Sequence, residues 1–163
     1  MPIVTTIEGR IAQVAIDRPE KRNTLSSELC KDLAREFLEL NDDTRVRSIV
    51  LCGHNNVFCA GLDIEEQLAE NTPIFNEFQK VIDALDALSK PVVAAVSGPA
   101  VSQGAAMLYH CDLVFAGEHA LFSMPGLALG QTPRYGVSLL AVKSGGYKLA
   151  AQKLLLSEPI SAA

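Results

Sequence analysis

A run of about 18 apolar residues, the length a membrane-spanning helix needs, is missing from this 163-residue chain, and so is a secretory signal. Both absences point to a soluble protein. There is no cluster of basic residues either, and the formal net charge is -5. That balance argues against broad binding to nucleic acid or to an anionic membrane, and leaves room for no more than a local phosphate site. Cys30, Cys52, Cys59 and Cys111 form no CxxC pair and read as reduced thiols of a cytoplasmic protein. The GxGxxG, GxSxG and HExxH patterns and the phosphate-loop GxxxxGK are absent as well. His54, His110 and His119 lack metal-ligand spacing, and the consecutive His110, Cys111 and Asp112 cannot share one face of a regular element. A structural role is expected for all three histidines, and no metal. With 48% hydrophobic and 20% charged residues, the chain can bury the core of one globular domain.

The stretch with most chemical content is KPVVAAVSGPAVSQGAAMLYHCDLVFA, Lys90 to Ala116. Pro91 opens an apolar run, Val92 to Val96, which suits a strand buried on both faces. The run breaks at Ser97-Gly98-Pro99. Small residues follow: Ala100, Ser102, Gly104, Ala105 and Ala106. A helix starting near Gln103 would present unpaired N–H groups that favour developing negative charge. The same small residues would equally serve tight packing of a helix on a sheet.

Around this centre the chain alternates. Val4 to Ile7 and Ile11 to Asp17 predict a hairpin across Glu8-Gly9-Arg10. A charged loop, RPEKRNTLS from Arg18 to Ser26, precedes a helix that Ser26 caps, with Leu29, Leu33, Phe37 and Leu40 on one face. Ser48 to Cys52 reads as a buried strand leading into GHNNVFCAGLDI, Gly53 to Ile64, where Gly61 permits N–H groups to turn into a cleft. Thr72-Pro73 starts a second amphipathic helix that runs to about Leu88. Leu113 to Ala116 and Ala120 to Ser123 read as strands, Arg134 to Lys143 as a helix after Thr132-Pro133, and Tyr147 to Leu156 as the last helix. The order implies an α/β fold with right-handed crossovers.

Four segments carry a family resemblance: RPEKRNTLS, FCAGLDI, KPVVAAVSGPAV with the small residues after it, and CDLVFA through FSMPGLALG. In order and spacing they resemble the enoyl-CoA hydratase/isomerase, or crotonase, family over essentially the whole chain. The resemblance implies a crotonase-like spiral of ββα units and binding of an acyl-CoA thioester, with coenzyme A as part of the substrate and no metal or other cofactor. It also implies an oxyanion hole for a thioester enolate, built from the backbone N–H groups of Leu62 and Gln103. Lys21, Arg22, Thr24, Ala60, Leu62, Asp63 and Ile64 would lie along the CoA, with the two basic residues near its phosphates. Full-length members of the family form trimers or hexamers, which implies a homo-oligomer.

Two departures from the family pattern stand out. The hydratase glutamates fall on Ala106 and Gly126, neither of which can transfer a proton. Arg134 stands where some family isomerases place an acid; at a helix start it would orient a carboxylate or an oxyanion, and it reads equally as a surface arginine. Gly126 is further expected to hold a backbone conformation closed to glutamate. The second departure is length, since residues 1–163 correspond to a single crotonase-type core without the C-terminal trimerisation helices, and the chain stops at Ser161-Ala162-Ala163 as a helix begins. The chemistry expected is that of an isomerase, lyase or hydrolase of acyl-CoA esters in fatty-acid metabolism. The competing expectation is a non-catalytic acyl-CoA-binding or oligomer-forming protein of the same fold.

Overall fold

The structure, a computed structural model, describes residues 2–162. The chain opens with β1 (Ile3–Glu8) and β2 (Ile11–Ile16), an antiparallel hairpin turned by Gly9 at φ 61°. α1 (Ser27–Asp42) follows, with the Ser26 hydroxyl accepting from the Leu29 N–H as its cap. Then come β3 (Ser48–Gly53), a short α2 (Ile64–Gln67), α3 (Ile74–Asp86), β4 (Val92–Val96), β5 (Ala100–Val101) and α4 (Gln103–Leu108). The remainder is β6 (Leu113–Ala116), β7 (Leu121–Ser123), α5 (Val137–Gly145), α6 (Tyr147–Leu155) and β8 (Ile160–Ser161). Single 3-10 turns sit at Pro19–Lys21 and Leu127–Leu129.

The main sheet has the order β1-β2-β3-β4-β6, parallel from β2 onward. Its core face carries Val14, Ile16, Ile49, Leu51, Val92 and Ala94, closed over by Leu33 and Phe37 of α1 and by Phe78 and Ile82 of α3. Burying each such side chain stabilises the fold by about 1.5–3 kcal/mol, so this face anchors everything built at the strand ends. A smaller sheet, β5-β7-β8, stands beyond the C-terminal ends of β3 and β4, with β5 parallel to β7 and β7 antiparallel to β8.

Several expectations need correction. β4 is not buried on both faces: Val92, Ala94 and Val96 are buried, whereas Val93 and Ala95 on the opposite face are half-buried, because α1 and α3 cover only one side of the sheet. Arg134 does not start a helix. Tyr135 and Gly136 adopt φ 58° and 69°, a left-handed pair that delays α5 to Val137. The chain does not enter a helix at Ser161, since Ile160 and Ser161 pair with Phe122 and Leu121 as β8. Ala163 lies outside the described residues. Finally, Gly126 has φ −51° and ψ −47°, ordinary helical values open to any residue. Among the described residues no helix is long and apolar enough to cross a membrane.

Candidate functional site

Three segments that are remote in sequence are laced together by their backbones at the strand ends. The chain from Phe58 to Asp63 lies between the loop at Arg22–Leu25 and the approach to α4. On one side Ala60 N–H donates to the Arg22 carbonyl at 3.2 Å, Leu25 N–H to Gly61 at 2.8 Å, and Asp63 N–H to Leu25 at 2.8 Å. On the other side Cys59 N–H donates to Pro99 at 3.3 Å, and Val101 N–H donates to Cys59 at 2.9 Å. The Leu62 N–H shares a trans peptide group with the Gly61 carbonyl that accepts from Leu25, so it faces away from Leu25. On that side the neighbouring segment has already turned into α4. Among the described residues the Leu62 N–H has no acceptor, and the N–H of Gln103, first residue of α4, has none either.

Small residues hold these two amides close. Gly61, at φ 97°, sits where an added Cβ would come within 3.2 Å of both Gln103 Oε1 and the Ser102 Cβ. A side chain on Gly104 would collide with the backbone of Cys59. Tight packing, one of the two readings that the sequence leaves open, is therefore present at this junction. Ser102 completes the junction. Its φ of 54° and ψ of −116° are strained for a residue with a side chain, and are held by its N–H to the Ser123 carbonyl at 2.7 Å and its hydroxyl to Gln103 Oε1 at 2.7 Å.

Leu62 and Gln103 line one cleft of about 480 Å³ together with Lys21, Thr24, Ala60, Asp63 and Ile64. Seven of the residues that the resemblance picks out therefore share a single cavity. Arg22 is not among its lining residues; it is exposed and contributes its carbonyl to Ala60. The far wall, missed by sequence reading, comes from Pro125, Leu129 and Gln131, and the exposed side chains of Ile64, Leu68 and Leu129 make the mouth apolar. Thr24 Oγ1 is buried in the lining with no hydrogen-bond partner among the described residues.

The charges around the cleft are largely matched. Arg18 lies 3.1 Å from Asp63 Oδ2, and Lys21 lies 3.0 Å from Glu65 Oε2, a hydrogen bond that raises the Lys21 pKa. The Asp63 carboxylate also accepts from the Glu65 N–H, capping α2. Glu66 accepts both the N–H and the hydroxyl of Ser27 at 2.8 and 2.6 Å, which fixes α2 to the start of α1. Buried Asn23 donates to the carbonyls of His54 and Val57 and accepts from the Arg18 N–H, tying the loop of basic residues to the strand end. The Asp63 cap is local, but the pairings of Arg18 with Asp63, Lys21 with Glu65, Ser27 with Glu66 and Asn23 with His54 and Val57 join distant residues, so no local signal announces them.

A second, smaller cavity of about 40 Å³ shares Ser102, Gln103 and Gln131 with the cleft and adds Ala106, Met124, Gly126, Arg134 and Tyr135. The structure thus brings Ala106, Gly126 and Arg134 to one place beside Gln103. No carboxylate lines it. Burial pushes the Tyr135 hydroxyl up to about 12, and that hydroxyl reaches the Phe75 carbonyl at 3.5 Å. His110 is engaged in the scaffold, between Asp86 at 2.7 Å and the Tyr135 carbonyl at 2.9 Å.

Known proteins resemble this chain over nearly all of its length. The sequence profile described as "Enoyl-CoA hydratase/isomerase" matches residues 6–163. The chain is 33% identical over 165 residues to the short-chain-enoyl-CoA hydratase of Clostridium acetobutylicum, covering 98% of this chain and 63% of that protein. It is 32% identical to the 2,3-dehydroadipyl-CoA hydratase of Escherichia coli, covering 98% of this chain and 64% of that protein. Among solved structures, an enoyl-CoA hydratase/isomerase from Pseudoalteromonas atlantica superposes with a TM-score of 0.92 at 31% identity, covering 99% of this chain and 64% of the other. The chain therefore spans just under two thirds of the length of these relatives.

Proposed function

The chain belongs to the enoyl-CoA hydratase/isomerase family, and from that membership we propose that its cleft binds an acyl-CoA thioester and holds the thioester oxygen between the N–H groups of Leu62 and Gln103. One observation carries the reading: Leu62 and Gln103, about forty residues apart, line the same cleft, and their N–H groups have no acceptor among the described residues. Such donors stabilise charge developing on the oxygen of an enolate, each by about 3 kcal/mol in a water-poor site. The apolar mouth suits the uncharged part of a CoA arm and the acyl chain. Lys21 is the cation available to a phosphate once it leaves Glu65. Arg22 reads as a contact for the outer end of the nucleotide, or as loop scaffold, because it lies off the cleft.

The proton chemistry is where this chain parts from a hydratase. At the positions that the resemblance assigns to the hydratase glutamates, the small cavity has a methyl group and a hydrogen. Glu66 is committed to Ser27, Glu65 stands at the Lys21 end of the cleft and outside the small cavity, and Tyr135 keeps its proton at neutral pH. Addition of water by two carboxylates has no carboxylates to use. The reading is therefore an enolate-stabilising member of the family, acting as an isomerase, lyase or hydrolase of a substrate that supplies its own acid or base. The bare cavity also favours a second reading, an acyl-CoA-binding or oligomer-forming protein without turnover. Titration calorimetry with CoA and with a saturated acyl-CoA tests the first element of both. Tighter binding of the thioester supports the amide pair, and no binding of either ligand ends the proposal.

A further inference from the structure

We infer that the acyl group taken by this cleft carries a second carboxylate, bound by Arg134; the inference deepens the thioester reading above and rests on it. The small cavity opens from the Gln103 end of the cleft, so an acyl chain whose thioester oxygen sits at the Gln103 N–H extends toward Ala106, Gly126 and Arg134.

Three observations point to an anionic group there. First, Arg134 is the one group lining that cavity that carries charge at neutral pH, with no carboxylate to oppose it. Second, its guanidinium is unspent. Arg18 and Lys21 at the cleft are paired with Asp63 and Glu65, whereas the exposed Arg134 side chain makes no ion pair or hydrogen bond among the described residues, and only its backbone carbonyl is engaged, by the Val137 N–H. Its guanidinium carbon stacks 5.0 Å from the centroid of the Phe75 ring, which steadies the side chain without using any of its N–H donors. A steadied, planar guanidinium matches a carboxylate with two parallel hydrogen bonds. Third, the space is small. At about 40 Å³, open at the rim where Arg134 stands, it has room for a compact polar group such as a carboxylate. Gln131 and Thr132 in the lining supply further polar partners. The substrate class is therefore a short acyl-CoA ending in a carboxylate, of the malonyl or succinyl type.

The test compares succinyl-CoA with butyryl-CoA, matched in chain length, by titration calorimetry on the whole chain. Succinyl-CoA is expected to bind about tenfold more tightly, with the gap narrowing as salt is raised. In Arg134→Ala the ratio of the two affinities should fall to about one, in Arg134→Lys part of it should survive, and in Arg134→Glu it should invert. Circular dichroism of each variant confirms that the fold persists, and the three variants together keep the test open if one of them unfolds. Equal affinities in the unmodified protein, or a preference that survives in Arg134→Ala and Arg134→Glu, would overturn the inference while leaving the thioester reading in place. Failure to bind either ester would overturn both.

Discussion

Lys21 Nζ lies 3.0 Å from Glu65 Oε2, and both residues line the cleft. The cation expected to meet the CoA phosphates is thus held by a carboxylate. The pair is exposed, and exposed pairs contribute only about 0–1 kcal/mol, so a phosphate can displace Glu65. Glu65→Gln should tighten binding of CoA a few-fold at low salt and do nothing at high salt, where charges are screened within about 8 Å or less. Lys21→Ala should weaken it over the same salt range, and Arg22→Ala should have the smaller effect. Identical affinities for Glu65→Gln and the unmodified protein at low salt would move the nucleotide site away from Lys21.

The close approach of Gly61 to Gln103 gives a second test. Gly61→Ala places a methyl group 3.2 Å from Gln103 Oε1 at a φ of 97°, where a side chain is already strained. Gly104→Ala forces α4 off Cys59. Each should lower stability by about 1–3 kcal/mol in urea titrations and should weaken thioester binding more than binding of free CoA. Equal losses for the two ligands would contradict the placement of the carbonyl between Leu62 and Gln103.

Alkaline pH should destabilise the fold. Burial pushes the thiols of Cys59 and Cys111 up to about 12 from a usual value near 9. The folded state then holds protons that the unfolded chain releases. This stabilisation is intact below pH 9 and is lost as pH rises toward 12, at on the order of 1 kcal/mol per pH unit for each thiol. Denaturant midpoints measured from pH 8 upward should fall beyond pH 9, and Cys59→Ala should shallow the fall. A midpoint that stays level would show that these thiols are not buried in solution.

β6 is an edge of the main sheet with all four residues exposed, Leu113 at 56% and Phe115 at 65%. An open apolar edge pairs readily with another chain. Light scattering should show concentration-dependent association of this chain, and Phe115→Lys should reduce it. A monodisperse monomer at high concentration would contradict this.

Much of the fold is legible because its signals are local. The Gly9 turn, the Ser26 cap and the apolar stripes of α1 and α3 each lie within a few residues of what they determine. The Leu62 and Gln103 amides are legible through Gly61 and the small residues around Ser102. What escapes sequence reading is set by distant partners. The strain at Ser102 is held by Ser123, Asp63 is neutralised by Arg18, and Lys21 meets Glu65 across 44 positions. Thr132-Pro133 carries a helix-start signal, but the left-handed turn at Tyr135 and Gly136 overrides it. The freedom of Gly126 is likewise invisible, because its composition hints at a special conformation and its backbone is ordinary.

Hydration of crotonyl-CoA is the sharpest test of an amide pair that is formed but lacks hydratase carboxylates. The unmodified chain should bind crotonyl-CoA and hydrate it very slowly, since a positioned acid or base contributes about 10²- to 10⁴-fold. The backbone at Gly126 accepts glutamate, with a new Cβ no closer than 3.4 Å to the Gln131 carbonyl, whereas Ala106 is fully buried and its glutamate must grow into the small cavity. The Ala106→Glu, Gly126→Glu double variant should therefore gain hydration over the parent while its thioester affinity stays measurable. Rapid hydration by the unmodified chain would contradict this, because Glu65, Glu66 or Tyr135 would then have to do the work of the missing carboxylates.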